Sequence, residues 1–167
     1  PASLKKVMLT EGDVPDYAFY ECDSLERVEI PDGVTAVGLR AFSDCLRLES
    51  IVLPKSLTAI GVSAFSGCLG LRTVSFADVE TCALTSIGIN AFYGCGTLKT
   101  VSFGNSLTAL PASCFAGCVS LETVDLGGVT QVGKNAFYKC TRLKEIKARA
   151  NTVFEDGNDA ATRLLQA

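Results

Sequence analysis

Apolar and polar positions recur along the chain at a nearly fixed distance. The stretch "NAFYGCGTLKTVSF" at 90–103 returns as "RAFSDCLRLESIVL", "SAFSGCLGLRTVSF", "SCFAGCVSLETVDL" and "NAFYKCTRLKEIKA". Phe19, Phe42, Phe65, Phe92, Phe115 and Phe137 are spaced by 23, 23, 27, 23 and 22 residues. Three residues after each comes a cysteine (Cys22, Cys45, Cys68, Cys95, Cys118, Cys140), and three further on a leucine (Leu25, Leu48, Leu71, Leu98, Leu121, Leu143). A period in the twenties predicts a solenoid, because one such unit cannot bury its apolar side without neighbours.

After the leucine the pattern changes to alternation. Val28, Ile51, Val74, Val101, Val124 and Ile146 are followed two residues later by Ile30, Leu53, Phe76, Phe103, Leu126 and the weaker Ala148, and "LKKVML" at 4–9 spells a seventh copy. Period-2 alternation of β-branched and aromatic residues predicts a short strand per unit. Stacked, the strands form a parallel sheet with neighbours roughly 4.8 Å apart, so about seven coils span on the order of 30 Å.

Each unit returns through "GVTAVG", "SLTAIG", "SLTSIG", "SLTALP" or "GVTQVG", whose apolar pairs are three apart. That spacing predicts a bend or a 3₁₀ turn. A Gly or Pro (Gly38, Gly61, Gly88, Pro111, Gly133) then breaks the chain before a segment that reads as one or two turns of helix. Residues 77–83, "ADVETCA", lengthen the fourth unit by four and predict an edge loop, while the first unit lacks the full bend.

The pattern A-F-x-x-C-x-x-L-x-x-V-x-L-P-x-x-L-T-x-I-G, present at 41–61 as "AFSDCLRLESIVLPKSLTAIG", resembles the BspA-like, or Treponema-type, leucine-rich repeat family over residues 4 to about 148. The resemblance implies an α/β repeat solenoid: a right-handed leucine-rich-repeat superhelix with a parallel sheet of short strands on one face and bends or short helices on the other. It further implies a non-enzymatic module of a secreted or cell-surface protein that binds host or partner proteins. The expected division is a solenoid over 1–150 and a tail over 151–167, with Asp159 as the N-cap of a short capping helix over 160–166. The chain begins at Pro1 within a strand-like repeat, which predicts an excised segment or a processed product.

Charge narrows the partner class. The net charge is −3 and the pI about 5.0, giving no overall attraction to nucleic acid. The ends differ: Glu11, Asp13, Asp16, Glu21, Asp23, Glu26, Glu29 and Asp32 crowd the first, and Lys134, Lys139, Arg142, Lys144, Lys147 and Arg149 the last. No apolar run is long enough for a membrane span, so direct insertion of this segment is not expected.

Catalytic and cofactor chemistry has no evident carrier. The chain has eight cysteines but no histidine and no C-x-x-C, so neither a zinc site nor a thiolate activated by imidazole is expected. Six cysteines at one column predict a line of buried free thiols. Cys114 reads as a small core residue, and Cys82, in the inserted loop, as the candidate for an exposed thiol. Phosphate-binding glycine motifs are absent, and no cofactor is predicted. The threonines Thr35, Thr58, Thr85, Thr108 and Thr130 are read as satisfying backbone groups at the bend.

What remains is surface. The outward strand positions form two columns, Lys6, Arg27, Ser50, Thr73, Thr100, Thr123, Glu145 and Met8, Glu29, Val52, Ser75, Ser102, Asp125, Lys147. Arg27, Glu29, Ser50, Val52, Thr73, Ser75, Thr100, Ser102, Thr123 and Asp125 are the expected contacts for a protein partner, with Tyr93 and Tyr138 as exposed aromatic anchors and Tyr20 similarly placed. A structural spacer in a longer surface protein is the alternative, and carbohydrate recognition ranks below both for want of tryptophan.

Overall fold

The computed structural model of the chain describes residues 3–166. Seven short strands form the first ladder: β1 (Lys6–Met8), β2 (Arg27–Glu29), β4 (Ser50–Leu53), β6 (Thr73–Phe76), β8 (Thr100–Ser102), β10 (Thr123–Asp125) and β12 (Glu145–Lys147). Six two-residue strands form the second: β3 (Ala36–Val37), β5 (Ala59–Ile60), β7 (Ser86–Ile87), β9 (Ala109–Leu110), β11 (Gln131–Val132) and β13 (Val153–Phe154). All pairings are parallel. The molecule is thus a parallel solenoid of six complete coils preceded by a shortened one, close to the seven expected.

In the first ladder β4 to β12 make one sheet, and β1 with β2 another. The second ladder is also divided, between β7 and β9. Gly38, Gly61, Gly88 and Gly133 each donate their N–H to the carbonyl of the preceding coil at 2.7–2.9 Å. Pro111 occupies the same column and has no N–H to give, which accounts for one missing rung.

The repeat differs from the sequence reading in two places. The bends predicted at 34–37 and its equivalents contain the strands of the second ladder, because Thr58 N and Ala59 N both find the carbonyl of Thr35 in the coil before. The predicted short helices are absent. Residues two before each core Phe (Tyr17, Arg40, Ser63, Asn90, Ser113, Asn135) have φ of 50–61°, and those two after it (Glu21, Asp44, Gly67, Gly94, Gly117, Lys139) have φ of 54–76°. Two left-handed residues four apart cannot continue a right-handed helix. The reversals turn alternate N–H groups outward: Arg40, Phe42 and Asp44 donate to Val62, Ala64 and Ser66 of the next coil, whereas Ala41, Ser43 and Cys45 donate within their own coil to Gly38, Arg40 and Phe42.

These paths bring equivalent side chains into register. Phe19, Phe42, Phe65, Phe92, Phe115 and Phe137 stack with centroids 5.2–5.8 Å apart and planes within 14° of parallel. Gly61 lies so close to the coil before it that a Cβ there would stand 2.6 Å from the carbonyl carbon of Gly38. A side chain at that position would separate the coils.

Both ends use side chains where the repeat runs out. In the shortened first coil, Asp13 Oδ1 takes the N–H groups of Thr35 and Ala36 at 2.7 and 3.0 Å, replacing the carbonyl that Thr35 supplies one coil on. At the other end Asn158 Oδ1 accepts from Phe137 N at 3.0 Å, the role that Ala136 O plays for Phe115. A helix, α1 (Asp159–Gln166), follows and packs against β12 with Ala161 buried in the core. The carbonyl of Asn158 accepts from Thr162 N, so Asn158 and not Asp159 holds the N-cap position, its side chain already committed to Phe137.

Two substitutions separate packing from backbone geometry. Replacing Phe92 by Ala removes one ring from the stack and is expected to cost about 3–5 kcal/mol in denaturant unfolding. Gly94 has φ of +70° and open space around its missing Cβ, so Gly94→Ala is expected to cost about 1 kcal/mol through the backbone alone. Equal losses at the two positions would contradict this division.

Candidate binding surface

The core side of each strand is filled by the Val or Ile column, so its neighbours on either side must face out. Register fixes their alignment: Lys6 beside Arg27 and Met8 beside Glu29, Ser50 beside Thr73 and Val52 beside Ser75, Thr100 beside Thr123 and Ser102 beside Asp125. Arg27, Glu29, Ser50, Val52, Thr73, Ser75, Thr100 and Ser102 are exposed, while Thr123 and Asp125 are half-buried. Asp125 Oδ1 is partly engaged by Gly127 N at 3.0 Å.

Tyr93 and Tyr138 do not join this face. They lie on the left-handed turn segment beside Phe92 and Phe137, each about half exposed, and Lys139 Nζ stands 5.4 Å from the Tyr138 ring centroid. The predicted contacts therefore divide between two surfaces. Tyr20 is less exposed than expected, because its ring meets Tyr17 edge-on at 5.6 Å. Exposed apolar side chains on the turn segments went unremarked in the sequence: Leu46, Leu69 and Val119 directly follow the cysteine column, and Val62 and Ile89 directly follow the glycine column. Their signal was apolarity at positions next to a turn glycine or a core cysteine.

Charge on the sheet face is dispersed. Lys6 Nζ meets Glu29 Oε1 at 3.3 Å between two solvated groups, and Lys144 Nζ meets the half-buried Glu122 Oε2 at 3.3 Å from a solvated side, so the contribution of each to stability is small. Hydrogen bonds from Thr35 and Ala36 hold the Asp13 carboxyl below its usual range. Hydrogen bonding by Thr81 does the same for Asp78, which folds the inserted loop around itself.

All eight cysteines are free and buried. The thiols of Cys45, Cys68, Cys95, Cys118 and Cys140 each donate to the carbonyl of the core Phe one coil earlier at 3.1–3.2 Å. Burial raises the Cys45 and Cys140 thiols from about 9 to about 12, and it drives Cys68, Cys95, Cys114 and Cys118 well above their ordinary value. The expectation of an exposed Cys82 is corrected: Ala83 N bonds Lys55 O, drawing the end of the loop inward, and Cys82 is only 4% exposed. Among the described residues no group of three or more His, Cys, Asp or Glu is placed to hold a metal ion. No helix among them is long and apolar enough to cross a membrane. Two of the five column threonines satisfy backbone groups as read from the sequence, Thr58 Oγ1 donating to Thr35 O and Thr85 Oγ1 to Thr58 O, whereas Thr35 Oγ1 donates to the Asp13 carboxylate.

Comparison with known proteins places this geometry. A sequence model described as "BspA type Leucine rich repeat region (6 copies)" matches residues 12–82 and 80–158. A solved Treponema pallidum leucine-rich repeat protein is 26% identical with a TM-score of 0.69, the match covering 96% of this chain and 83% of that one. A leucine-rich repeat protein from Eubacterium ventriosum is 27% identical with a TM-score of 0.74, covering 89% of this chain but only 42% of its own. Curated proteins gave no match.

The thiol column makes two predictions. Alkylation of the native protein at neutral pH is expected to leave all cysteines unmodified, and in denaturant without reductant to modify all eight; recovery of fewer than six would contradict a reduced ladder. The unfolded chain loses thiol protons near pH 9 that the folded chain keeps to about pH 12, so this part of the stability is fully present below pH 9 and declines as pH rises from 9 to 12. Denaturation midpoints measured across that range are expected to fall, and less steeply in Cys95→Ala.

Proposed function

Because this chain belongs to the BspA-type leucine-rich repeat family, we propose that it is a protein-binding module and that its partner lies across the sheet face. The observation that carries the reading is the continuity of that face. Ser50, Thr73 and Thr100 are in register on three successive strands, with Ser75 and Ser102 two residues further along theirs, all exposed and short, so a partner backbone can approach closely over several coils. Parallel stacking repeats the surface at the coil spacing, which suits an extended or flat protein surface better than a small molecule.

The chain acts, in this reading, without catalysis and without a cofactor, as an adhesion module of a secreted or cell-surface protein. The resemblance to BspA-like proteins supports that setting, and host or extracellular proteins are the partner class it favours. The edge loops, including 77–83, would add contacts beside the sheet.

An array of extracellular matrix and cell-surface proteins, probed at low and physiological salt, tests the proposal. A saturable partner is expected, and Ser75→Arg with Ser102→Arg is expected to weaken it tenfold or more, about 1.4 kcal/mol, without altering the melting temperature. A bound partner indifferent to both changes would remove the sheet face from the reading. A folded protein that binds nothing on the array would favour a spacer.

A further inference from the structure

The sheet face is interrupted at one place. β2 and β4 are neighbours in the stack but belong to separate sheets, with no ladder joining them. In that gap lies a groove of about 340 Å³, with Ile30, Val52, Pro54 and Ala77 along its apolar side and Glu29 and Asp32 on its rim.

Three features of the sequence converge there. Val52 interrupts a column that from Glu29 to Lys147 is otherwise polar, and it stands 53% exposed. Ala77 opens the inserted loop, which no other coil has, and so gives this gap a wall. Glu29 and Asp32 are exposed, and among the described residues the Glu29 carboxylate is met by a solvated ion pair with Lys6 at 3.3 Å, a bond weak enough for an incoming cation to displace.

We infer that this groove receives an extended segment of a partner protein in which an aliphatic side chain stands next to a lysine or arginine. The aliphatic group would cover Val52 and Ala77, and the cation would reach Glu29 and Asp32. Charge decides the choice of occupant: an acidic or neutral segment would leave two carboxylates facing a desolvated rim, whereas a basic one pairs them. The inference rests on the sheet face being the binding surface and specifies the part of it that selects the partner.

The probe is a labelled octapeptide in which leucine and valine alternate with lysine and arginine, followed by fluorescence anisotropy with the whole chain. Two control peptides replace the basic residues by glutamate or the aliphatic ones by serine. The first peptide is expected to bind at least tenfold more tightly than either control, and to weaken as salt rises. Glu29→Lys with Asp32→Lys is expected to cost tenfold or more, and Val52→Ser several-fold. Glu11→Lys with Asp23→Lys, which changes net charge equally away from the groove, is expected to cost little.

Equal weakening by the two charge-reversal pairs, or no effect of Val52→Ser, would overturn the groove as the site. If a full-size partner is lost with Ser75→Arg and Ser102→Arg but tolerates every groove variant, the groove fails and the sheet-face reading stands. If the peptide obeys the groove variants while no full-size partner depends on Ser75 or Ser102, the groove stands and the wider face does not.

Discussion

No coil of this solenoid satisfies its own backbone. Phe42 N finds its acceptor at Ala64 in the next coil and Gly61 N at Val37 in the one before, so every turn of chain needs neighbours that follow the same path. A buried N–H without an acceptor costs about 1–3 kcal/mol, and each coil has several at stake. The repetition of Phe, Cys and Leu follows from this. Once the paths coincide, equivalent side chains must share one slice of core, and a ring in one coil fixes the ring in the next.

The same requirement explains the departures from the repeat. Where a coil is short or missing, a side chain supplies the acceptor: Asp13 Oδ1 for Thr35 and Ala36, Asn158 Oδ1 for Phe137, Glu155 Oε2 for Lys134 N at 2.9 Å. Where the donor is absent, at Pro111, the second ladder divides. The cysteine column extends the scheme to sulfur, because each core Phe carbonyl from Phe19 to Phe115 accepts a backbone N–H from its own coil and a thiol from the next. Cysteine is small enough for the slice and still has a proton to give.

In the proposed reading, binding falls to the positions this scheme leaves alone. Outward strand residues pair through their backbones while their side chains point away from the core, so those side chains can vary without disturbing the stack, and the middle coils carry Ser and Thr there. Irregularity adds relief to an otherwise uniform face: the gap between β2 and β4, the wall at Ala77 and the exposed Val52 create the groove beside Glu29 and Asp32. The proposed selectivity for a basic segment therefore lies where the repeat is broken.

The sequence by itself determined the period, the strand column, the core identity of Phe92, Cys95, Leu98 and Val101, and the outward positions from Arg27 to Asp125, because these depend on spacing that every copy repeats. Only the tertiary structure decided that the segment around each Phe is a pair of left-handed reversals and not a helix. Asn90 and Asn135 tolerate positive φ by residue type, but Arg40 and Ser63 have no intrinsic reason to adopt it; the acceptors waiting in the next coil, Val62 O for Arg40 N and Ile89 O for Ser63 N, hold them there. The burial of Cys82 was likewise invisible to spacing, whereas the place of Tyr93 and Tyr138, one residue after a core Phe and off the strands, followed from it. Local pattern encodes what each coil repeats, whereas the direction of a backbone turn and the wall of a groove depend on contacts between coils more than twenty residues apart.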